Sequence, residues 1–321
     1  MASTSAEPIQ YYDVSNFAFT DGSILPQARI AYKILNPQNT KIAVVHTCFR
    51  GKIDSTVTHA TSALRAHKVI VIALFGNGES SSPSNTPNFP KTIEYMDCVK
   101  AQYQLLTQKL GITQVDVMLG FSMGGQITYH WIAMHPTFIR NAVIVCSSAK
   151  TSQHNIQFLE GPRAALENAA DPVRGLRAFG KAYSAWLTSA EWFDAKLYKN
   201  LGFESLAAWD EGVTGKGYEG WAGDDLLAKL GMWQRGDITR CVEGANGRVE
   251  DALQAIEARV LLMPCQTDQY FRPYASEREA QSLKHGTVHV VPSIWGHIVG
   301  GGANQEDSEW MDEKVRMFLQ G

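Results

Sequence analysis

Long hydrophobic runs are missing from this sequence, and no stretch approaches the roughly 18 apolar residues that mark a membrane-spanning helix. Charge of one sign is missing too: 29 Lys and Arg stand against 32 Asp and Glu, for a net charge of −3, with the basic residues scattered. Neither nucleic acid nor a membrane is expected as a partner of so balanced a chain. Cysteine is scarce. Cys48, Cys98, Cys146, Cys241 and Cys265 make an odd count without a Cys-x-x-Cys or His-x-x-x-His cluster, so no metal site is expected. Cys146 and Cys265 lie in apolar runs, and at least four of the five read as buried, reduced thiols of a cytoplasmic protein. Residues 1–8 lack the basic-then-apolar order of a secretory signal, and residues 318–321 match no retention or peroxisomal address.

What is present is an ordinary core-forming composition, 45% apolar and 19% charged over 321 residues. That length suits one large α/β domain carrying an insertion. Short β-branched runs alternate with longer helical patterns. Residues 28–35, 41–45, 69–74, 115–119 and 142–146 read as strands, several of them continuous apolar runs of the kind covered on both faces. Residues 92–110 carry Ile93, Met96, Val99, Tyr103, Leu106 and Leu110 at helical spacing, closed by Gly111. Residues 123–135 form a second predicted helix, stopped by Pro136. This alternation predicts a mostly parallel central sheet with helices on both faces.

From about residue 149 to 247 the strand runs stop, and five of the eight tryptophans fall here: Trp186, Trp192, Trp209, Trp221 and Trp233. The segment reads as an inserted helical cap, which divides the chain into a first core part (1–148), the cap (149–247) and a second core part (248–321). The pattern resumes with strands at 258–264 and 287–291 and helices at 272–284 and 307–319. Residues 80–90, Ser-Ser-Ser-Pro-Ser-Asn-Thr-Pro-Asn-Phe-Pro, read as a proline-broken surface loop.

The chemistry is carried by Gly120-Phe121-Ser122-Met123-Gly124-Gly125, between the strand 115–119 and the helix 123–135. A serine hydroxyl is a weak nucleophile until a base takes its proton, and it must be exposed to reach a substrate. A sharp strand-to-helix turn exposes it, but leaves no room for side chains two residues to either side, hence Gly-x-Ser-x-Gly. The arrangement requires an acid after the strand that follows the cap and a histidine after the last strand. Asp268 and His297 stand at those places; Asp237 and Glu243 precede the strand, and His289 lies within one. Histidine, with an ordinary pKa of about 6.5, can act as base and then acid near neutrality. Asp268 would orient its ring. Negative charge developing on a substrate oxygen needs backbone N–H donors. One is expected from Met123, the other from the loop 46–51, with the Cys48 amide favoured and Phe49 second.

These residues resemble the homoserine O-acetyltransferase-like branch of the α/β-hydrolases. The resemblance covers nearly the whole chain. It rests on residues 120–126, on Phe75-Gly-Asn-Gly-Glu-Ser-Ser-Ser-Pro-Ser-Asn85, on Thr267-Asp-Gln-Tyr-Phe-Arg-Pro273, on Ile294-Trp-Gly-His297, and on the cap segment 227–239 with its Asp237. The stretch 76–84 is similar to hydrolase members, among them microbial ester hydrolases and enzymes of fungal secondary-metabolite clusters. The resemblance implies the α/β-hydrolase fold, an inserted cap, no cofactor and a homodimer. Acetyltransferases of the branch read Gly-Gly-Ser-Met-Gly-Gly and carry a longer insert between the third and fourth strands, whereas residue 121 here is Phe.

Two enzymatic readings follow. A hydrolase would form an acyl-enzyme on Ser122 from an ester or thioester and release the acid to water. An acyltransferase would pass the same acyl group to an alcohol or amine. A binding protein without catalysis is the third class, and the complete Ser-Asp-His set argues against it. Phe49, Phe121 and Trp295 beside the triad, with Trp186, Trp192 and Trp233 from the cap, are the expected pocket lining, core packing being the alternative for each cap tryptophan. They suit a small, largely apolar acyl group. Arg50 is a candidate contact for an anionic group, with a solvated surface role as its alternative.

Overall fold

In the computed structural model, which describes residues 7–57 and 62–321, the apolar runs become the middle of one eight-stranded sheet. Residues 1–6 of the stretch read for a targeting signal lie outside the described residues. The strands are β1 (Gln10–Ala18), β2 (Ile24–Leu35), β3 (Ile42–His46), β4 (Lys68–Ile72), β5 (Val115–Phe121), β6 (Ile139–Val145), β7 (Arg259–Met263) and β8 (Gly286–Val288). Their spatial order is β1-β2-β4-β3-β5-β6-β7-β8. β1 and β2 pair antiparallel, β2 joins β4 antiparallel, and every later pairing is parallel. β1 went unread in the sequence because only Val14 and Phe17 of its residues are buried, so this edge strand carries no apolar run. The last strand is three residues long, not the five expected, although Val291 still bridges to Cys265.

Successive residues of a strand face opposite sides, and both sides here are packed. Val44 joins a cluster with Val99, Ile127 and Trp131, whereas its neighbours Ala43 and Val45 join one with Met311 and Val315. The first cluster is covered by α1 (Tyr95–Gln104) and α2 (Met123–Met134), the second by α10 (Gln305–Gln320). α1 runs on through a wider turn at Leu105–Lys109, and Gly111 (φ +65°) then ends the helix as the sequence implied.

Between β6 and β7 the described chain is helical: α3 (Gln153–Glu167), α4 (Pro172–Ser184), α5 (Ala190–Asp194), α6 (Leu206–Trp209), α7 (Gly223–Gln234) and α8 (Val249–Gln254). α9 (Pro273–Ser282) then separates β7 from β8. One chain of hydrogen bonds joins α7 to α1 and α2, which cover the sheet. The Tyr95 hydroxyl donates to Gln126 Oε1 (2.7 Å), Gln126 Nε2 donates to Thr151 Oγ1 (2.8 Å), and Thr151 donates to the Trp233 carbonyl (2.5 Å). No helix among the described residues is long and apolar enough to cross a membrane.

Two expectations are corrected. The serine-rich stretch 80–90 is not a surface loop throughout, because Ser80, Ser81 and Ser82 are buried. Their hydroxyls replace a strand's hydrogen bonds: Ser80 Oγ accepts from Ala31 N and donates to Ala73 O, and Ser81 Oγ accepts from Arg29 N. Of the cysteines, three are buried (Cys98, Cys146, Cys265) while Cys48 and Cys241 are half-exposed; all five are free thiols.

Two histidines in this frame are buried and neutral. His46, ending β3, places Nε2 3.0 Å from Gln102 Oε1, and burial pulls its pKa down to about 3. His130 in α2 bonds the Gln126 carbonyl (2.7 Å), and burial pulls it down to about 4. Above about pH 6.5 both rings are neutral in the folded and unfolded chain alike. Below it the unfolded chain takes up protons that the folded one refuses, so stability falls as pH drops. The loss should reach about 3 kcal/mol per ring near pH 4, a large part of an ordinary domain's stability. A urea-unfolding midpoint that declines from about pH 6.5 to about pH 4.5 is expected; a level midpoint contradicts it.

Candidate active site

The turn after β5 is as sharp as the glycine spacing implies, but Ser122 at its apex is buried, not exposed as expected. Ser122 has φ +57° and ψ −122°, a conformation that costs a non-glycine residue energy and persists where the surroundings enforce it. A Cβ on Gly120 would come 1.9 Å from the Gly124 carbonyl oxygen, and one on Gly124 would come 2.9 Å from the His46 carbonyl oxygen. Gly125 lets α2 approach the sheet, since a Cβ there would lie 2.5 Å from Ser147 Cβ. Backbone bonds pin the turn: Ser122 N donates to Val145 O (3.0 Å), and Gly125 N and Gln126 N both donate to Ser122 O. Ser147 Oγ adds a third donor to that oxygen at 2.7 Å.

The structure brings the three sequence candidates together. His297 Nε2 lies 2.9 Å from Ser122 Oγ, and its Nδ1 lies 2.8 Å from Asp268 Oδ2. Asp268 Oδ1 accepts the backbone N–H of Tyr270 (2.8 Å) and of Phe271 (3.2 Å). This fixes the carboxylate so that its other oxygen faces the imidazole. Asp237 caps a short helical turn through Thr239 and pairs with Lys150, away from this chain of bonds.

Three further positions escaped the sequence reading. Thr267 Oγ1 accepts from Gly296 N (3.2 Å) and donates to Ser293 O (2.9 Å), tying the loop of the acid to the loop of the histidine. Ser293 in turn bonds Asp307 of α10. Cys146 has φ +45°, and its thiol sulfur, an Asp268 carboxylate oxygen and one His297 ring nitrogen lie within 4.8 Å of one another. Burial pushes this thiol well above its usual range, with the Asp268 charge adding to the rise. No pattern in the sequence announces such a neighbour, because it arises where two strand ends meet.

The expected lining residues separate into two groups. Three rings from two segments face His297: Tyr270 at 4.6 Å between centroids, Phe121 at 4.7 Å and Phe271 at 5.6 Å. Trp233 stacks on Phe271 (5.7 Å) and sits 6.0 Å from Phe49, which stacks on Tyr183 (5.6 Å). Trp186 is half-buried at the rim of this cluster against Phe158 (4.8 Å). Trp192 and Trp295 belong elsewhere. They pack on each other (6.2 Å) in the second core cluster, where Trp192 also packs on Trp209 and Tyr198. The Arg50 guanidinium donates to the Gly217 carbonyl (3.0 Å) and lies over the Tyr218 ring (4.5 Å).

Phe121 has a matching gap opposite it, since a Cβ on Gly300 would come 2.2 Å from its ring. Phe121, Cys48, Arg50 and Gly300–Gly302 border a cavity of about 210 Å³ on that side. The loop 46–51 lies against the elbow, as the contact of Gly124 with the His46 carbonyl shows. Met123, the first residue of α2, follows Ser122 at the same turn.

A hydroxyl, an imidazole and a carboxylate in series can abstract, hold and return one proton. The family model of the alpha/beta hydrolase fold matches residues 56–300. The chain belongs to the α/β-hydrolase fold family. It is 28% identical over 337 residues to an ethyl acetate hydrolase of Pseudomonas veronii, covering 97% of this chain and 95% of that one. It is 26% identical over 264 residues to a homoserine O-acetyltransferase of Haemophilus influenzae, covering 76% of this chain and 72% of the other. Among solved structures, the acetyl esterase MekB superposes with a TM-score of 0.90 at 26% identity, over 98% of this chain and 97% of that one. The homoserine O-acetyltransferase-like branch expected from the sequence is thus supported.

Proposed function

We propose that this protein is a serine esterase that hydrolyses acetyl or similarly short acyl esters of small, largely apolar alcohols. The observation that carries the reading is the unbroken series Ser122 Oγ, His297, Asp268 at 2.9 and 2.8 Å. In this scheme His297 takes the Ser122 proton as Oγ attacks the ester carbonyl carbon. The N–H of Met123 and one from Cys48 or Phe49 receive the developing oxyanion. The proton passes to the departing alcohol, leaving an acyl-enzyme. Water, deprotonated by His297, attacks that ester, and collapse releases the acid and restores Ser122.

Support for a short acyl group comes from the rings of Phe121, Tyr270 and Phe271 crowding His297, and from the ester hydrolases among the relatives. A free amino acid acceptor such as homoserine would bring an ammonium and a carboxylate to this aromatic surface, at a desolvation cost that needs charged partners. Five free thiols fit a cytoplasmic setting, and the resemblance fits a role in secondary metabolism and a homodimer.

The test is turnover of a chromogenic acetate ester with and without an alcohol acceptor. The reading expects acid release to water at a rate the acceptor leaves unchanged. Turnover that begins only when acceptor is added would assign the protein to acyl transfer instead.

A further inference from the structure

Lys229 is the most unusual charged residue in the fold. It lies in the middle of α7, and its side chain is completely buried. Burying an ammonium costs several kcal/mol unless donors and charge are satisfied. Lys229 Nζ donates to the Cys48 carbonyl at 2.8 Å and to the Phe49 carbonyl. It lies 5.3 Å from the Trp221 ring centroid and 5.5 Å from that of Phe49. Burial brings its pKa down to about 7, with Lys52 adding to the decrease while Cys48, Glu79 and Asp225 oppose it. The proposed reaction assigns it no proton.

Both acceptors belong to the loop after β3. In a trans peptide the carbonyl and the following N–H point opposite ways, so a donor that holds the Cys48 and Phe49 carbonyls also fixes the rotation of the two following amides, those of Phe49 and Arg50. The Cys48 carbonyl has a second donor, Gly51 N at 3.1 Å, which closes the turn. Phe49 O has Lys229. The elbow contacts the start of the same loop, through Gly124 against the His46 carbonyl. A loop between two secondary elements is otherwise free to rotate its peptides, and an oxyanion donor that is misaligned by a fraction of an ångström loses much of its effect.

We propose that Lys229 is a positioning residue that clamps the loop after β3 from the cap side, holding the Phe49 amide in the orientation that stabilises the oxyanion. This rests on the serine esterase reading above. It also makes the cap part of the catalytic alignment, because the clamp comes from α7.

The experiment compares the full-length protein with Lys229→Met, which fills the volume without a donor, and Lys229→Gln, which returns an amide donor. Steady-state turnover of a short acetate ester is read together with inhibition by a trifluoromethyl ketone, whose hemiketal oxyanion imitates the tetrahedral intermediate. Lys229→Met should lower kcat about 10- to 100-fold with KM within about twofold, a fraction of the cost of losing an oxyanion donor outright. The ketone's Ki should rise by the same factor as kcat falls, and Lys229→Gln should recover part of both. An unchanged kcat, or a rise in KM alone with ketone inhibition unaffected, would overturn the clamp. Should Lys229→Met not fold, Lys229→Gln set against the wild type carries the same two readouts. A wild type that turns over no ester, or a Ser122→Ala variant that keeps its activity, would instead strike at the serine esterase reading.

Discussion

Ser122→Ala is expected to lower kcat for a short ester by about 10⁶-fold, because members of a triad act as one unit and loss of the nucleophile removes the whole route. The fold should survive. The substitution removes one oxygen from a buried position, and the turn is held by backbone bonds to Val145 O and to Ser122 O that alanine retains. Alanine also relieves nothing of the φ of +57°, which the surrounding contacts enforce in either residue. The expected result is therefore an inactive protein with the circular dichroism and melting behaviour of the wild type. Residual turnover above about a thousandth of the wild-type rate would place the nucleophile elsewhere.

Asp268→Asn should cost about 10⁴-fold in kcat, for a reason that can be read from its hydrogen bonds. The two backbone N–H groups of Tyr270 and Phe271 both donate to Oδ1. An asparagine must turn its carbonyl oxygen toward them, since its NH₂ would face two donors. Its NH₂ then faces His297 Nδ1, which must accept, and the ring proton moves to Nε2. In that tautomer Nε2 has no lone pair for the Ser122 hydroxyl, so the base is lost while the geometry is kept. Loss of activity with an unaltered fold is expected; activity within about tenfold of wild type would show that another group orients His297.

The legible part of this fold was what local pattern reports. Runs such as Val69-Ile-Val-Ile72 are apolar on both faces because helices cover both, and they gave the strand positions directly. The Gly120, Ser122, Gly124 spacing is legible because steric exclusion at the turn permits little else. Asp268 and His297 followed from chain order. What stayed hidden depends on which segments meet. Trp192 and Trp233 look alike in sequence, yet one packs with Trp295 and Trp209 and the other with Phe271 and Phe49. The serines at 80–82 read as surface because polarity normally signals exposure, whereas here their hydroxyls satisfy buried backbone groups. Lys229 hid for the same reason, a cation expected at the surface but turned inward onto two carbonyls. Buried polar groups with partners far away in sequence carry no local signature.

The central claim is that Ser122 carries the acyl group. It is tested most directly by acid-quenching the enzyme within milliseconds of mixing with an activated acetate ester, then digesting it and locating the added mass. The account predicts one acetyl increment, on the peptide containing Ser122, that decays as acetate is released and is absent from Ser122→Ala. An acetyl group on another residue, such as Cys48, that forms and decays at the rate of turnover would contradict it.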